Sequence, residues 1–99
     1  MNHRIENGTI ILSMQEDLLS SNVELLRAAC KNAIENTNDV QNLQVDLSVT
    51  KIVDSKGLNL LIGLYQEANR RNWKFKVTGV STEISQLLSF VKLAGHFGL

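Results

Sequence analysis

A segment with helical spacing of apolar residues lies between two segments in which apolar and polar residues alternate. Residues 43–47 and 73–77 alternate with a period of two, which predicts strands with one buried face. The segment between them, from Ser55 to about Arg71, carries apolar residues at i, i+3, i+4 and i+7, the spacing of a helix that faces a core. These apolar residues are Leu58, Leu61, Ile62 and Tyr65, and Leu60 and Leu64 broaden the apolar arc, which suggests deep burial of the helix. A strand, a helix and a strand in this order favour a parallel pairing with the helix packed on the sheet.

The first half of the chain extends this pattern. Residues 9–14 form an apolar run after the turn signal Asn7-Gly8, which predicts a buried strand, and residues 3–6 are a candidate partner strand across that turn. Residues 23–34 carry an apolar stripe at helical spacing. The order of elements therefore begins with a strand pair followed by a helix.

The start of the first helix and the end of the chain complete the prediction. Ser21 and Glu24 have the spacing of a capping box, and a last helix with an apolar stripe from Ile84 to Val91 follows a break at Gly79. The fold class expected for the single domain, residues 1–99, is α/β. It consists of a small mixed β-sheet of about four strands with helices packed on it.

Composition excludes several classes of function. Lys plus Arg and Asp plus Glu number ten each, so the formal net charge is zero, and bulk charge does not suggest a nucleic-acid partner. No apolar run approaches the roughly 20 residues that span a bilayer. The N-terminus leads to no apolar signal segment. We therefore expect a cytoplasmic protein without membrane insertion.

Candidate chemical groups have simple structural interpretations. Cys30 lies on the inner stripe of the first helix, as a buried structural cysteine does. His3 and His96 have no partners at ligand spacing, so no metal site is expected. Ser55 has no histidine placed as its base, and no phosphate-binding or dinucleotide-binding glycine motif is present. The sequence predicts neither an enzyme nor a bound cofactor.

Residues 70–76 mix basic and aromatic side chains, a composition that also suits single-stranded nucleic acid. The alternation places Trp73 and Phe75 on one face and Lys74 and Lys76 on the other. A core strand with one solvated face is the better interpretation.

The start of the central helix is the strongest candidate site. Asp54 or Ser55 is the expected N-cap. The Ser55 hydroxyl then lies where free amides and the helix dipole favour an anion. Gly57 and Gly63 each cost about 1 kcal/mol of helix stability relative to alanine. Such glycines often permit close packing or the approach of a partner.

From Asp46 onward the chain resembles a STAS domain, in particular the bacterial anti-sigma factor antagonists. The resemblance is carried by Asp46-Leu47-Ser48 and Val53-Asp54-Ser55-Lys56-Gly57-Leu58, followed by the helix through Tyr65. Gly79, the helix from Ile84 to Val91 and Leu93-Ala94-Gly95 extend it more loosely. The family fold is a small mixed sheet covered by helices.

The resemblance implies a function and a site. Ser55 corresponds to the phospho-acceptor of an ATP-dependent GHKL-type serine kinase, usually the anti-sigma factor itself, and a PP2C-type phosphatase would reverse the modification. The unmodified domain would bind the kinase, and phosphorylation would release it. The residues expected at the partner interface or the helix start are Asp54, Lys56, Gly57, Leu58 and Asp46. The alternative is a non-phosphorylated STAS subunit of a transporter ATPase complex or signalling scaffold.

The chain departs from the family pattern in three places. Lys56 stands where many members have a small residue, and Leu19 replaces an acidic residue thought to help kinase docking, in the run Glu16-Asp17-Leu18-Leu19. The family often ends with one more strand and helix, so this domain is expected to be C-terminally short. These differences concern the partner more than the fold.

Overall fold

The computed structural model describes residues 1–90, in which four strands and three helices follow one another. They are β1 (Asn2–Glu6), β2 (Thr9–Ser13), α1 (Val23–Glu35), β3 (Asn42–Asp46), α2 (Ser55–Arg70), β4 (Lys74–Thr78) and α3 (Thr82–Phe90). The predicted order of elements and the mixed sheet are confirmed. The expectations for Val91, Leu93-Ala94-Gly95 and His96 fall outside the described residues.

The sheet has the strand order β1-β2-β3-β4. β1 and β2 pair antiparallel, whereas β2, β3 and β4 are parallel to one another. Asn7 and Gly8 connect β1 to β2 with φ angles of 50° and 77°, as a two-residue hairpin turn requires. The two parallel connections run through α1 and α2. Because such crossovers are right-handed, both helices cover the same face of the sheet.

The core lies between this face and the helices. Apolar residues that are register partners on the three parallel strands form two rows across this face of the sheet. The rows are Ile10, Leu43 and Phe75, and then Leu12, Val45 and Val77. Cys30, on α1, is fully buried in the same core. Burial raises the pKa of its thiol to about 11. The cysteine is therefore structural, as its place on the apolar stripe predicts.

α2 faces the core with the part of its broad apolar arc that contains Leu60, Leu61 and Leu64, and not with the stripe that begins at Leu58. Its buried residues are Gly57, Leu60, Leu61, Leu64 and Ala68. Leu58, Ile62 and Tyr65 are half-buried and pack against the edge of the core. The ring of Tyr65 meets that of Phe75 edge to face, with centroids 5.7 Å apart. Apolar residues occupy both stripes in the sequence, so periodicity alone does not choose between them.

The predicted capping box at α1 is wrong. The helix begins at Val23 with Asn22 as its N-cap. The Asn22 side chain accepts a hydrogen bond from the Leu19 amide over 3.0 Å and donates one to the Asp17 carbonyl over 2.8 Å. It therefore orders the turn that precedes α1, and this turn takes the place of the Ser21–Glu24 interaction.

Candidate functional site at the start of helix α2

The loops that follow β2 and β3 meet at the carboxyl edge of the parallel strands. The Met14 amide donates to the Asp46 carbonyl over 3.0 Å, and the Leu47 amide donates to the Thr78 carbonyl over 2.8 Å. These bonds continue the sheet pairing just beyond the strands. This edge is where binding sites of open α/β sheets are commonly formed. We refer to residues 14–22 and 47–54 together as the loop pair.

Backbone hydrogen bonds join the two segments of the loop pair. Leu18 and Val53 form a single parallel bridge. In it the Leu18 amide donates to the Ile52 carbonyl over 2.9 Å, and the Asp54 amide donates to the Leu18 carbonyl over 3.0 Å. The segment before α1 is thereby fixed to the segment before α2, 34 positions later in the chain.

Side-chain hydrogen bonds strengthen this connection. Oδ1 of Asp17 accepts from the amides of Lys51 and Ile52 over 2.8 and 3.1 Å. The Thr50 hydroxyl donates to the Glu16 carbonyl over 2.8 Å. The loop between β3 and α2 therefore has one defined conformation, because several of its backbone groups have partners in the preceding loop.

The Asp54 carboxylate is the N-cap of α2 and contacts both segments. Oδ1 accepts from the Gly57 amide over 2.8 Å, and Oδ2 accepts from the Ser20 amide over 2.8 Å. The Gly57 amide, and after it the Ser20 amide, holds the pKa of the Asp54 carboxyl below its usual value. Asp54 is therefore ionised at neutral pH, and its charge faces the helix N-terminus that favours it.

Ser55 is the first residue of α2 and is exposed, as is Lys56 beside it. The side chain of a serine at this place is accessible to another protein without unfolding of the domain. The amides of the first helical turn lie nearby and favour a negative group. Modification of Ser55 and contact of Lys56 with a partner remain predictions.

The other residues predicted for the site lie beneath this surface. Gly57 is buried, and a Cβ added to it would overlap the Leu18 carbonyl oxygen and lie 2.7 Å from the Leu18 Cβ. Leu58 is half-buried against the core. Asp46 is half-buried, and its Oδ1 accepts from the Ser48 amide over 2.9 Å, which stabilises the turn after β3. Gly57 and Leu58 therefore fix the helix start against the core, whereas Asp46 holds the turn after β3.

The family model described as the STAS domain matches residues 1–99. The chain belongs to the STAS domain family. The mixed sheet, the two helices on one face and the serine at the start of α2 are therefore features of one STAS domain.

Solved structures share the fold of this STAS domain. A Thermotoga maritima protein assigned as an anti-sigma factor antagonist is 17% identical, with a TM-score of 0.84, over 93% of this chain and 78% of the other. The anti-sigma factor antagonist SpoIIAA in its unphosphorylated form is 19% identical, with a TM-score of 0.69, over 90% and 81%. A sulfate transporter family protein from Wolinella succinogenes is 12% identical, with a TM-score of 0.77, over 96% and 75%.

The sequence prediction missed the residues that hold the STAS helix start in place. Asp17 and Ser20 supply contacts to the second segment of the loop pair, and the Leu18 backbone is the neighbour that requires Gly57. Asp17 and Asn22 are both residue types that bond to nearby backbone groups, which was an available signal. The contacts of Asp17 and Ser20 across 34 or 35 positions had no signal in local periodicity.

A groove of about 390 Å³ lies elsewhere, between α1 and α2. Its lining includes Arg27, Lys31, Gly63 and Glu67, and the helix start does not contribute to it. Among residues 1–90, no three His, Cys, Asp or Glu side chains are grouped as metal ligands. No helix within the same residues is long and apolar enough to cross a membrane.

Proposed function

We propose that this STAS domain is a phosphorylation-controlled interaction module of the anti-sigma factor antagonist type. The observation that supports the proposal most directly is the exposed Ser55 at the first position of α2, immediately after the N-cap Asp54. In this proposal a GHKL-type serine kinase, acting also as an anti-sigma factor, binds the unmodified domain in the cytoplasm. A PP2C-type phosphatase restores that form, and the domain has no catalytic activity of its own.

The charge around Ser55 explains how phosphorylation would change binding. A phosphate adds roughly −1.5 to −2 charges at neutral pH. Asp54 already contributes a negative charge, because its carboxylate is stabilised by two amides. The free amides and the dipole of α2 favour the added charge, so the fold is retained. A partner that packs closely against this position would lose affinity through desolvation and repulsion.

Phosphorylation by kinase candidates tests the proposal directly. The domain is incubated with each GHKL-type kinase of the source organism and ATP, and the modified residue is located by mass spectrometry. We expect phosphate on Ser55 and none in Ser55→Ala. Ser21→Ala is the matched control, since Ser21 is an exposed serine in the neighbouring loop pair. Phosphate on a different residue, or on none with any candidate, would contradict the proposal.

Binding measurements test the switch itself. Ser55→Ala should retain affinity for the kinase in the presence of ATP, because it cannot be modified. Ser55→Asp should bind more weakly, because it places a second negative charge next to Asp54. Equal dissociation constants for the two variants, measured by calorimetry with a non-hydrolysable ATP analogue, would argue against a charge switch at this position.

The second candidate function is a constitutive STAS subunit of a transporter ATPase complex or signalling scaffold. The structural likeness to the Wolinella succinogenes protein, which is described as a sulfate transporter family member, favours this candidate. Leu19, in place of an acidic residue before α1, also favours it. Co-purification with a transporter ATPase that is equally efficient for the wild type, Ser55→Ala and Ser55→Asp would support this function and reject the switch.

A further inference from the structure

Two apolar side chains are exposed in the loop that leads to α2. Val49 is 52% exposed and Ile52 is 57% exposed. Both lie within six residues of Ser55, at the carboxyl edge of the sheet. Isolated exposed apolar residues are common on protein surfaces, so exposure alone does not define a binding surface. The conformation of this loop and its charges provide the further evidence.

The loop is held rigidly although it presents these side chains to solvent. The Ile52 amide donates to Asp17 and its carbonyl accepts from the Leu18 amide. Next to Val49, the Thr50 side chain is buried and bonded to the Glu16 carbonyl. These hydrogen bonds hold the backbone of Ile52 and the residue after Val49, so the loop presents both apolar side chains from an ordered segment. A preordered apolar pair loses little conformational entropy when a partner covers it.

Within residues 47–57 the exposed charged side chains are both lysines, whereas the Asp54 side chain is half-buried. Lys51 and Lys56 are exposed, and within residues 1–90 neither forms an ion pair. Two of the nearby carboxylates are bonded to backbone amides, Asp17 to those of Lys51 and Ile52 and Asp54 to those of Ser20 and Gly57, and Glu16 is exposed. A partner that complements this surface therefore has an apolar pocket with carboxylates at its rim.

We propose that Val49 and Ile52 are apolar anchors that insert into a pocket of the protein partner, and that carboxylates at the rim of that pocket contact Lys51 and Lys56. This inference rests on the proposed function and adds the chemistry of the partner surface. It also gives a reason for release, because a phosphate on Ser55 would compete for the two lysines and repel the acidic rim.

Substitution of the anchors tests the apolar part of the inference. Val49→Ser and Ile52→Ser should each weaken kinase binding by about tenfold or more, as expected for central anchor residues. Ile5→Ser is the matched control. Ile5 is 52% exposed but lies on β1 opposite Ile10, at the other end of the sheet. Unchanged affinity of both anchor variants would overturn the inference, and so would an equal loss in Ile5→Ser.

Charge reversal tests the rim. Lys51→Glu and Lys56→Glu should each weaken binding several-fold at low ionic strength. The loss should be smaller at about 0.5 M salt, because salt screens exposed charges. Lys74→Glu is the control, since Lys74 is exposed at the first position of β4, at the opposite edge. A Lys51 or Lys56 variant that binds more tightly than the wild type would indicate a basic partner surface and overturn this part.

A parallel measurement of Ser55 phosphorylation separates failure of the inference from failure of the proposed function. If the kinase binds and modifies the anchor variants like the wild type, the inference is wrong and the proposed function stands. If no kinase binds or modifies the wild type, the proposed function fails and the inference fails with it. Sedimentation velocity provides the remaining comparison. A wild-type dimer that Val49→Ser and Ile52→Ser convert to monomer would assign the anchors to a second copy of this chain.

Discussion

Replacement of Gly57 by alanine is expected to destabilise the domain although alanine is the better helix former. A Cβ at this position would overlap the Leu18 carbonyl oxygen, and it would lie 2.7 Å from the Leu18 Cβ and 2.8 Å from the Leu18 carbonyl carbon. Two of these three atoms are backbone. They cannot move freely, because the Leu18 amide and carbonyl are bonded to Ile52 and Asp54 over 2.9 and 3.0 Å.

The magnitude follows from two opposing contributions. Forced displacement of well-packed atoms costs about 1–3 kcal/mol, and exchange of glycine for alanine in a helix returns at most about 1 kcal/mol. We expect Gly57→Ala to lower the free energy of unfolding by about 1–2 kcal/mol. For a chain of 99 residues, each kcal/mol corresponds to a fall in Tm of about 4–8 °C.

Gly63→Ala is the matched control in the same helix. Its added Cβ would meet only Nη1 of Arg27, at 3.3 Å, and that side chain is partly exposed and flexible. The same substitution should therefore stabilise the domain by up to about 1 kcal/mol. Urea unfolding followed by circular dichroism measures both variants. If Gly57→Ala is as stable as Gly63→Ala, the close approach of Leu18 does not determine the residue at position 57.

Two further predictions concern titrating groups. Because the folded-state pKa of Asp54 is lowered by the Gly57 and Ser20 amides, its stabilising contribution is present above the unfolded value near 3.9 and is lost as the pH falls through the folded value. Asp54→Asn should remove this contribution to the pH dependence of the free energy of unfolding, measured with urea between about pH 2 and 5. An unchanged pH profile would exclude Asp54 as its source. Burial raises the pKa of the Cys30 thiol to about 11. At about pH 8 a thiol reagent should therefore react slowly with the native protein and rapidly with the protein in denaturant. Equal rates would contradict the burial.

Local patterns in the sequence were sufficient to predict the order of elements. Alternation of apolar and polar residues predicted β3 and β4, because each strand buries one face. The turn signal Asn7-Gly8 predicted the hairpin, because a tight hairpin turn requires positive φ angles. The position of Ser55 at the start of α2 followed from capping preference, since Asp54 is the N-cap. Such features depend on neighbours within a few residues.

Features that depend on distant segments were not predictable in the same way. The capping-box spacing of Ser21 and Glu24 is present, yet α1 begins after Asn22. The Asn22 side chain makes no cap bond to the helix and instead bonds back to Asp17 and Leu19, which fixes the preceding turn. The choice between two apolar stripes on α2 depends on how the helix lies on the sheet. Gly57 was recognised as a site of close approach, but the sequence did not identify Leu18 as its neighbour.

The division of roles within residues 49–57 has a consequence for how the site could change in evolution. Asp54 and Gly57 hold the backbone, and both contact the segment before α1. Val49, Ile52 and Ser55 are exposed in the same short stretch. Substitutions at the three exposed positions remove few intramolecular contacts, so they should alter stability by less than about 0.5 kcal/mol, as surface substitutions usually do. If these three residues contact the partner as proposed, partner preference could diverge while the fold is maintained, because Asp54 and Gly57 hold the backbone.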